Sequence, residues 1–323
     1  MNGINGKNGN SLLSIIIVSY NTKRVTDDCL RSIYNAKWTS PYEIIVVDNN
    51  SQDGSVQMIK EKYPQVILIE NNENKLFAKA NNQGAAIAKG KYLLLLNSDT
   101  LVWEDNIQRM IDFFETQPDD VICIGPRVLN QDKSLQACGY PLPSIRERIC
   151  LCFKLHKFFS PKLVEHVLNI NGLTQDTSEV RTVGWVSGSC MMMDSSKYRE
   201  VGGLNERIEF YGEEPEFGYR TWHQYRYRTV YYPIAEIIHL GGRSSEKQED
   251  NATTRMIAHR RYALLQRETV GYSKAIWMSR VVILSILIKW IFHPNKDFFH
   301  KAYSYEKEVI QYLKMKKHEA TTH

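Results

Sequence analysis

The sequence predicts an α/β fold built on a mostly parallel, doubly wound sheet, and three observations lead there. Leu12–Val18, Glu43–Val47, Val66–Glu70 and Tyr92–Leu96 are short apolar runs without helical gaps. Such runs read as strands buried on both faces. Segments with helical apolar spacing alternate with them over short connections, the pattern of right-handed βαβ crossovers. Two of the strands also break off into small polar residues, Asp48 to Gly54 after Val47 and Asn97 to Thr100 after Leu96. Ligands of open α/β sheets bind beyond the carboxyl ends of the strands, so Asp48 and Asp99 stand where strands deliver carboxylates.

The first helix is expected over Val25–Ala36, with apolar residues at Val25, Cys29, Leu30, Ile33 and Tyr34. A second follows over 55–63, and an Ala-rich third over Leu76–Lys89, stopped by Gly90. An amphipathic helix is expected over Glu104–Thr116 and a strand over Val121–Gly125. Residues 126–180 read as irregular, interrupted by Pro126, Pro141, Pro143 and Pro161. Val183–Asp194 reads as strand, glycine turn, strand, and Thr229–Pro233 as a further strand.

A length of 323 residues, with 43% hydrophobic and 24% charged residues, is that of a globular chain. The net charge of +5 is too mild to call for nucleic acid as a partner. Cys29, Cys123, Cys138, Cys150, Cys152 and Cys190 lack paired metal-ligand spacing and read as reduced thiols. Residues 1–11 are Gly/Asn-rich without an apolar core, which predicts a disordered lead-in and not a signal peptide. The turn Ser19–Arg24 contains no glycine, which argues against a dinucleotide-binding dehydrogenase, whose cradle needs close backbone approach to a pyrophosphate.

Five segments in order, SIIIVSYN, VVDNNSQDGS, NKLFAKANNQGAAIAKGKYLLLLNSDT, VGGLNERIEFYGEEPEFGYR and IIHLGGRSS, resemble the family 2 glycosyltransferases over roughly residues 12–250. The resemblance implies a GT-A (nucleotide-diphospho-sugar transferase) fold. Its nucleotide-binding half would span 12–125 and its acceptor half 126–265, followed by a C-terminal helical region over 266–323. It implies a nucleotide-sugar site drawn from Ser19, Tyr20, Asp48, Asn50, Asp53, Asn82, Asn97, Ser98 and Asp99. Leu76 stands where this subgroup usually has glycine.

The chemistry gives these matches a reason. A nucleotide-sugar donor leaves as a diphosphate, and a hard divalent cation, Mg2+ or Mn2+, neutralises the charge that builds there. By resemblance, Asp99 and His239 hold that cation. An inverting transfer needs a carboxylate to take the acceptor hydroxyl's proton. The family's Glu-Asp pair reads Glu213-Glu214 here, with Glu214 the candidate base and Glu213 the competing assignment. Pro215 predicts Glu214 at the N-cap edge of a helix, where the helix end favours the ionised carboxylate. Trp185, Glu216, Arg243 and Ser244 are expected toward the acceptor and its diphosphate, with Arg220 one turn from Glu216.

Ala275–Phe292 is the most apolar stretch, but Arg280 and Lys289 leave eight uncharged residues between them, where a bilayer core needs ~20. Lys274, Ser285 and Lys289 fall on one side of this helix, and Trp277 and Trp290 flank its ends. This predicts a helix lying in the membrane interface, with a helix buried against the catalytic domain as its rival. Arg146–Lys162 is a second candidate membrane-facing segment or acceptor loop. The expected protein is a metal-dependent inverting hexosyltransferase, peripheral on the inner face of the cell membrane. It would act in cell-surface polysaccharide assembly with a lipid-linked saccharide acceptor. The GPRVLNQDKSLQACG segment most resembles rhamnosyltransferases that use dTDP-rhamnose. The alternatives are a family 2 transferase using a UDP- or GDP-sugar, or a non-catalytic membrane-associated nucleotide-sugar-binding subunit.

Overall fold

The computed structural model describes residues 12–143, 149–150, 153, 178–208, 212–241, 265–292, 300, 303–304 and 306–314. The chain divides into two compact units, residues 1–140 with 172–247, and residues 141–171 with 248–323.

In the first unit, β1 (Leu13–Ser19), β2 (Tyr42–Asp48), β3 (Ile67–Glu70) and β4 (Tyr92–Asn97) form the parallel order β3-β2-β1-β4. They are crossed by α1 (Lys23–Asn35), α2 (Ser55–Lys62) and α3 (Leu76–Ile87). Successive side chains point to opposite faces and both faces are covered. Ile15, Ile17, Leu94 and Leu96 pack with Cys29, Leu30, Ile33 and Met58, whereas Ile16, Leu93 and Leu95 pack with Ala78, Ala80 and Ala85. Full burial of each such Leu or Ile contributes ~1.5–3 kcal/mol, which is why these positions are apolar. The small residues of α3 let it lie close on the sheet. A Cβ on Gly84 would stand 2.6 Å from the Ile16 side chain.

The sheet continues as β11-β6-β12-β5. Here β5 is Thr100–Leu101, β6 Val121–Leu129, β11 Cys190–Asp194 and β12 Arg228–His239. A helix α4 (Asn106–Glu115) precedes β6. Strand β11 runs antiparallel to β4, pairing Cys190 with Leu96. The start of β11 therefore lies beside the end of β4, which brings the turn 187–189 to Asn97. Strand β12 runs parallel to β6 and finally antiparallel to β5, with His239 opposite Thr100.

Two expectations need correction. Pro233 does not end its strand. β12 continues to His239, and its register with β6 shifts between Tyr232 and Glu236, where the proline's missing N–H costs no ladder bond. The stretch after residue 126 is also not wholly irregular. β7 (Leu135–Gln136) folds back on β6, and β8 (Gly139–Tyr140) pairs with β10 (Trp185–Val186), beyond β9 (Arg181–Val183). Two helices complete the unit, α5 (Ser195–Glu200) and α6 (Glu213–Arg220), the latter extended by a π-helical turn Thr221–Tyr225.

The second unit contains α7 (Tyr272–Phe292). Ala275, Ile276, Val309 and Leu313 form one cluster, and Val282 and Ile286 pack with Phe153. Ser285 is buried with them and donates to the Val282 carbonyl at 2.8 Å, so it does not share a solvent face with the exposed Lys274. Exposed instead are Trp277 (49%), Leu284 (50%) and Ile291 (67%), a stripe at seven-residue spacing. Among the described residues, no helix is long and apolar enough to cross a membrane. Among the described residues, Cys29, Cys123, Cys138, Cys150 and Cys190 are free and buried.

Candidate active site

The loop after β2 is laced to the turn after β1. Asn49 N–H donates to the Ser19 carbonyl at 2.8 Å, Asn21 N–H to Ser51 Oγ at 2.9 Å, and Gln52 N–H to Asn21 Oδ1 at 2.7 Å. Asp48 is buried. Its Oδ2 accepts from Ser51 N–H at 2.8 Å, while its Oδ1 is buried without a partner. An unsatisfied carboxylate oxygen costs free energy unless a ligand donor meets it. Tyr20 is exposed, and Asn50 sits at the loop tip with φ 65°, accepting from Gln52 Nε2 at 3.0 Å.

Several residues expected at the donor are committed to the scaffold. Asp53 accepts from Lys23 N–H at 2.7 Å and from Ser55 Oγ at 2.5 Å, joining the starts of α1 and α2. Burial pushes its carboxyl up, but these hydrogen bonds outweigh it and hold the group below the usual range. The Ser19 hydroxyl is buried against Thr22 at 3.2 Å, and the Ser98 hydroxyl points to Thr22 at 3.4 Å. Asn82 accepts from Tyr198 Oη at 2.6 Å and Leu204 N–H at 3.0 Å, and it donates to the Leu204 carbonyl and Glu206 at 2.9 Å each. Its amide is saturated, so it serves the 202–206 loop and has no bond left for a donor. Leu76 has φ 63°, a backbone that glycine adopts freely.

At the end of β4, His239 Nε2 lies 3.2 Å from Asp99 Oδ1 and 3.4 Å from Asn97 Nδ2. Asp99 is wholly buried, and Leu240 N–H donates to its carbonyl at 2.9 Å, tying the end of β12 to it. A carboxylate oxygen and a ring nitrogen converging at this distance fit a divalent cation such as Mn2+. Among the described residues, no group of three or more His, Cys, Asp or Glu comes together. A pair fits a cation whose remaining ligands are diphosphate oxygens and water.

Helix α6 presents the acids. It starts at Glu213 behind Gly212 (φ 141°), and its first intrahelical bond runs from Glu216 N–H to the Gly212 carbonyl at 3.1 Å. Pro215 is thus the third helical residue and not the first, at a position whose N–H has no intrahelical acceptor anyway. Glu213 is 2% exposed inside the helix start. Glu214 is half-buried, and its Oε1 accepts from Gly188 N–H at 3.1 Å. Burial raises the Glu214 carboxyl above its ordinary value against two backbone hydrogen bonds that lower it, opposite to the direction expected from the helix end alone. Glu216 is buried in a two-point ion pair with Arg220 at 2.8 and 3.2 Å. Arg220 in turn donates to the carbonyls of Val201 and Gly203. That pair is part of the scaffold behind Glu214.

The turn 187–189 joins the two groups of acids. Gly188 N–H meets Glu214, while the Ser189 carbonyl accepts from Asn97 N–H at 3.1 Å and Thr100 Oγ1 at 3.2 Å. Trp185 stacks on Tyr140 with ring centroids 4.0 Å apart. The Tyr140 hydroxyl is raised by burial and then by the nearby Cys138 and Glu214. Tyr140 was not foreseen, because its place depends on the β8–β10 pairing. Arg243, Ser244 and most of the Arg146–Lys162 segment lie outside the described residues.

A nucleotide-type parallel half, a second half that returns a histidine to the end of β4, and an acid helix facing that edge define a GT-A glycosyltransferase. A family model described as "Glycosyl transferase family 2" matches residues 14–201, and the chain belongs to that family. It is 24% identical over 279 residues to N-acetylglucosaminyl-diphospho-decaprenol L-rhamnosyltransferase of Mycobacterium tuberculosis, covering 82% of this chain and 87% of that protein. It is 36% identical over 107 residues to the Escherichia coli UDP-Glc:alpha-D-GlcNAc-diphosphoundecaprenol beta-1,3-glucosyltransferase WfaP, covering 33% and 42% of the two chains. The mannosyltransferase PcManGT of Pyrobaculum calidifontis, solved with GDP-Man and Mn2+, superposes with a TM-score of 0.52 at 12% identity over 94% of this chain and 86% of that one.

Proposed function

We propose that this chain is a metal-dependent inverting glycosyltransferase that moves L-rhamnose from dTDP-rhamnose onto a lipid-linked saccharide at a membrane surface. The observation that carries the reading is the 3.2 Å approach of His239 Nε2 to Asp99 Oδ1, beside a turn that also holds Glu214. The rhamnose assignment draws on the mycobacterial relative, whose name gives a polyprenyl-diphosphate-linked acceptor and an L-rhamnosyl product.

In this reading, Asp48 Oδ1 accepts a hydrogen bond from the nucleoside, which satisfies the orphaned oxygen. Asp99 and His239 hold Mn2+ or Mg2+, which when bound neutralises charge on the departing diphosphate. Glu214 takes the proton of the acceptor hydroxyl as that oxygen attacks the sugar carbon, and its raised pKa makes it the stronger base once ionised. The Trp185–Tyr140 stack offers a flat apolar surface to the acceptor sugar. Arg243 and Ser244 are proposed to meet the acceptor diphosphate. The exposed Trp277–Leu284–Ile291 stripe is proposed to rest in the membrane interface on the cytoplasmic face.

The test is turnover of dTDP-rhamnose, UDP-glucose and GDP-mannose with a polyprenyl-diphosphate-linked N-acetylglucosamine, with Mn2+, Mg2+ or EDTA. The reading expects product from dTDP-rhamnose, dependent on the cation. Equal use of a UDP- or GDP-sugar would overturn the donor assignment, and full activity in EDTA the metal dependence.

A further inference from the structure

The segment Asn130–Gln136 has no role in the chemistry so far, yet it touches the site. It forms a hairpin, closed by Asn130 N–H to the Ser134 carbonyl at 2.8 Å and Lys133 N–H to the Asn130 carbonyl at 2.9 Å, with Lys133 at φ 64°. Gln136 pairs with Val128 of β6, and Val128 pairs on its other side with Ile237 of β12. The hairpin therefore returns Gln136 alongside the end of β12. There His239 Nδ1 lies 2.7 Å from Gln136 Oε1.

The chain of hydrogen bonds behind that contact has only one consistent direction. Asp132 as a carboxylate can only accept, and it takes Ser134 Oγ–H at 2.5 Å and Ser134 N–H at 2.9 Å. These two bonds hold its carboxyl below the usual range. Having given its proton to Asp132, the Ser134 hydroxyl oxygen accepts from Asn130 Nδ2 at 2.9 Å. Asn130 is thereby oriented with Oδ1 inward, where it accepts from Gln136 Nε2 at 2.9 Å. Gln136 is oriented in turn with Oε1 toward the imidazole. An amide oxygen cannot donate, so Nδ1 carries the hydrogen. In the neutral ring Nε2 is then the nitrogen that faces Asp99 with its lone pair, the form that can ligate a cation.

We infer that Gln136 is a positioning residue of the metal site: the relay Asp132–Ser134–Asn130–Gln136 fixes the Nδ1–H tautomer and ring orientation of His239 and so presents Nε2 to a divalent cation beside Asp99. This rests on the reading of Asp99 and His239 as cation ligands. Ligating histidines need a partner on the other ring nitrogen, and loss of such partners costs ~10–100-fold in metal affinity. The relay also gives the NQDKSLQ segment a task at the site, one separate from any choice of donor sugar.

The experiment compares wild type, Gln136→Leu and Gln136→Glu, with His239→Gln used to assign the resonances. In the metal-free protein, two-bond 1H–15N correlation spectra report the His239 tautomer, and Mn2+ binding in the presence of dTDP is titrated by EPR. Wild type should show the Nδ1–H form. Gln136→Leu should lose it in favour of Nε2–H and bind Mn2+ ~10–100-fold more weakly. Gln136→Glu keeps an acceptor at that position, so it should retain the tautomer and most of the affinity. A Gln136→Leu protein that keeps the Nδ1–H form overturns the inference whatever its Mn2+ affinity. Mn2+ binding indifferent to Asp99→Ala would sink the metal-site reading instead, and the tautomer measurement would then still decide the relay.

Discussion

Glu214 Oε1 accepts a hydrogen bond from the Gly188 amide at 3.1 Å, and the fit between them leaves no room for a side chain at 188. A Cβ there would stand 2.4 Å from that same oxygen. A side chain at 188 would therefore displace that carboxylate. Glu214→Gln keeps the acceptor oxygen and removes the base, so turnover is expected to fall ~10²–10⁴-fold with nucleotide binding retained. The pH dependence has a definite sign. Burial raises the Glu214 carboxyl above its ordinary value of 4.5, so the folded state binds this proton more readily than the unfolded state. The stability it contributes is full below the unfolded value and lost as pH rises through the folded one. Glu214→Gln should therefore melt higher than wild type at pH 7.5, and the gap should close as the pH falls toward 4.5. An equal or lower melting temperature at pH 7.5 would refute the placement of this group.

Asp48 combines a satisfied oxygen with an orphaned one, and only the second is free for a ligand. Asp48→Asn preserves an acceptor for Ser51 N–H and relieves a buried charge. The variant is expected to be at least as stable as wild type while its affinity for dTDP falls ~10-fold or more, the worth of one hydrogen bond to a charged group. Calorimetric titration with dTDP, alongside a thermal melt, checks both. Loss of stability together with unchanged affinity would make Asp48 a loop residue only.

Asn82 joins two elements distant in sequence, since all four of its bonds run to Tyr198, Leu204 and Glu206. Gly203 lies so near that a Cβ there would stand 2.5 Å from Asn82 Oδ1. Asn82→Ala leaves those groups without their partner and should destabilise the fold by about 2–3 kcal/mol. The KM for the donor should stay within twofold of wild type, measured well below the melting temperature. A large rise in KM at unchanged stability would return Asn82 to the donor site.

How much could be read from the chain follows from the range of the forces involved. The parallel half was legible because strands buried on both faces admit only apolar runs, and because their ends must carry the polar residues that meet a ligand. Asp99 was proposed from the end of such a strand, whereas His239 came only from the resemblance of the IIHLGGRSS segment to the family. Strand β12 was cut short in the reading because Pro233 signals a stop locally, whereas a register shift with β6 lets the ladder resume. Two-residue strands such as β8 and β10 carry no periodicity at all, so Tyr140 and its stack on Trp185 were invisible. Gln136 escaped for a related reason, since its contact with His239 spans 103 residues and depends on a hairpin return. Leu76 shows the opposite case. Its left-handed φ of 63° is a backbone that glycine adopts freely, and Asn74 Oδ1 accepting from its N–H at 2.9 Å supports the turn that leucine strains.

The outer stripe of α7 sets the remaining prediction. Burial of Ala275, Met278, Val282 and Ile286 accounts for one side of the helix, but Trp277, Leu284 and Ile291 are exposed on the other. Lys274 and Arg280 are exposed near the same stripe. Apolar side chains flanked by cations suit an anionic lipid surface, where each basic residue adds ~1 kcal/mol and the apolar groups insert. Leu284→Glu changes an exposed position, so the melting temperature should hold while binding to vesicles of phosphatidylglycerol and phosphatidylethanolamine falls several-fold in co-sedimentation. Salt should weaken wild-type binding, as screening of the Lys274 and Arg280 charges requires. Sedimentation of Leu284→Glu with vesicles as complete as that of wild type would show that this stripe faces something other than lipid.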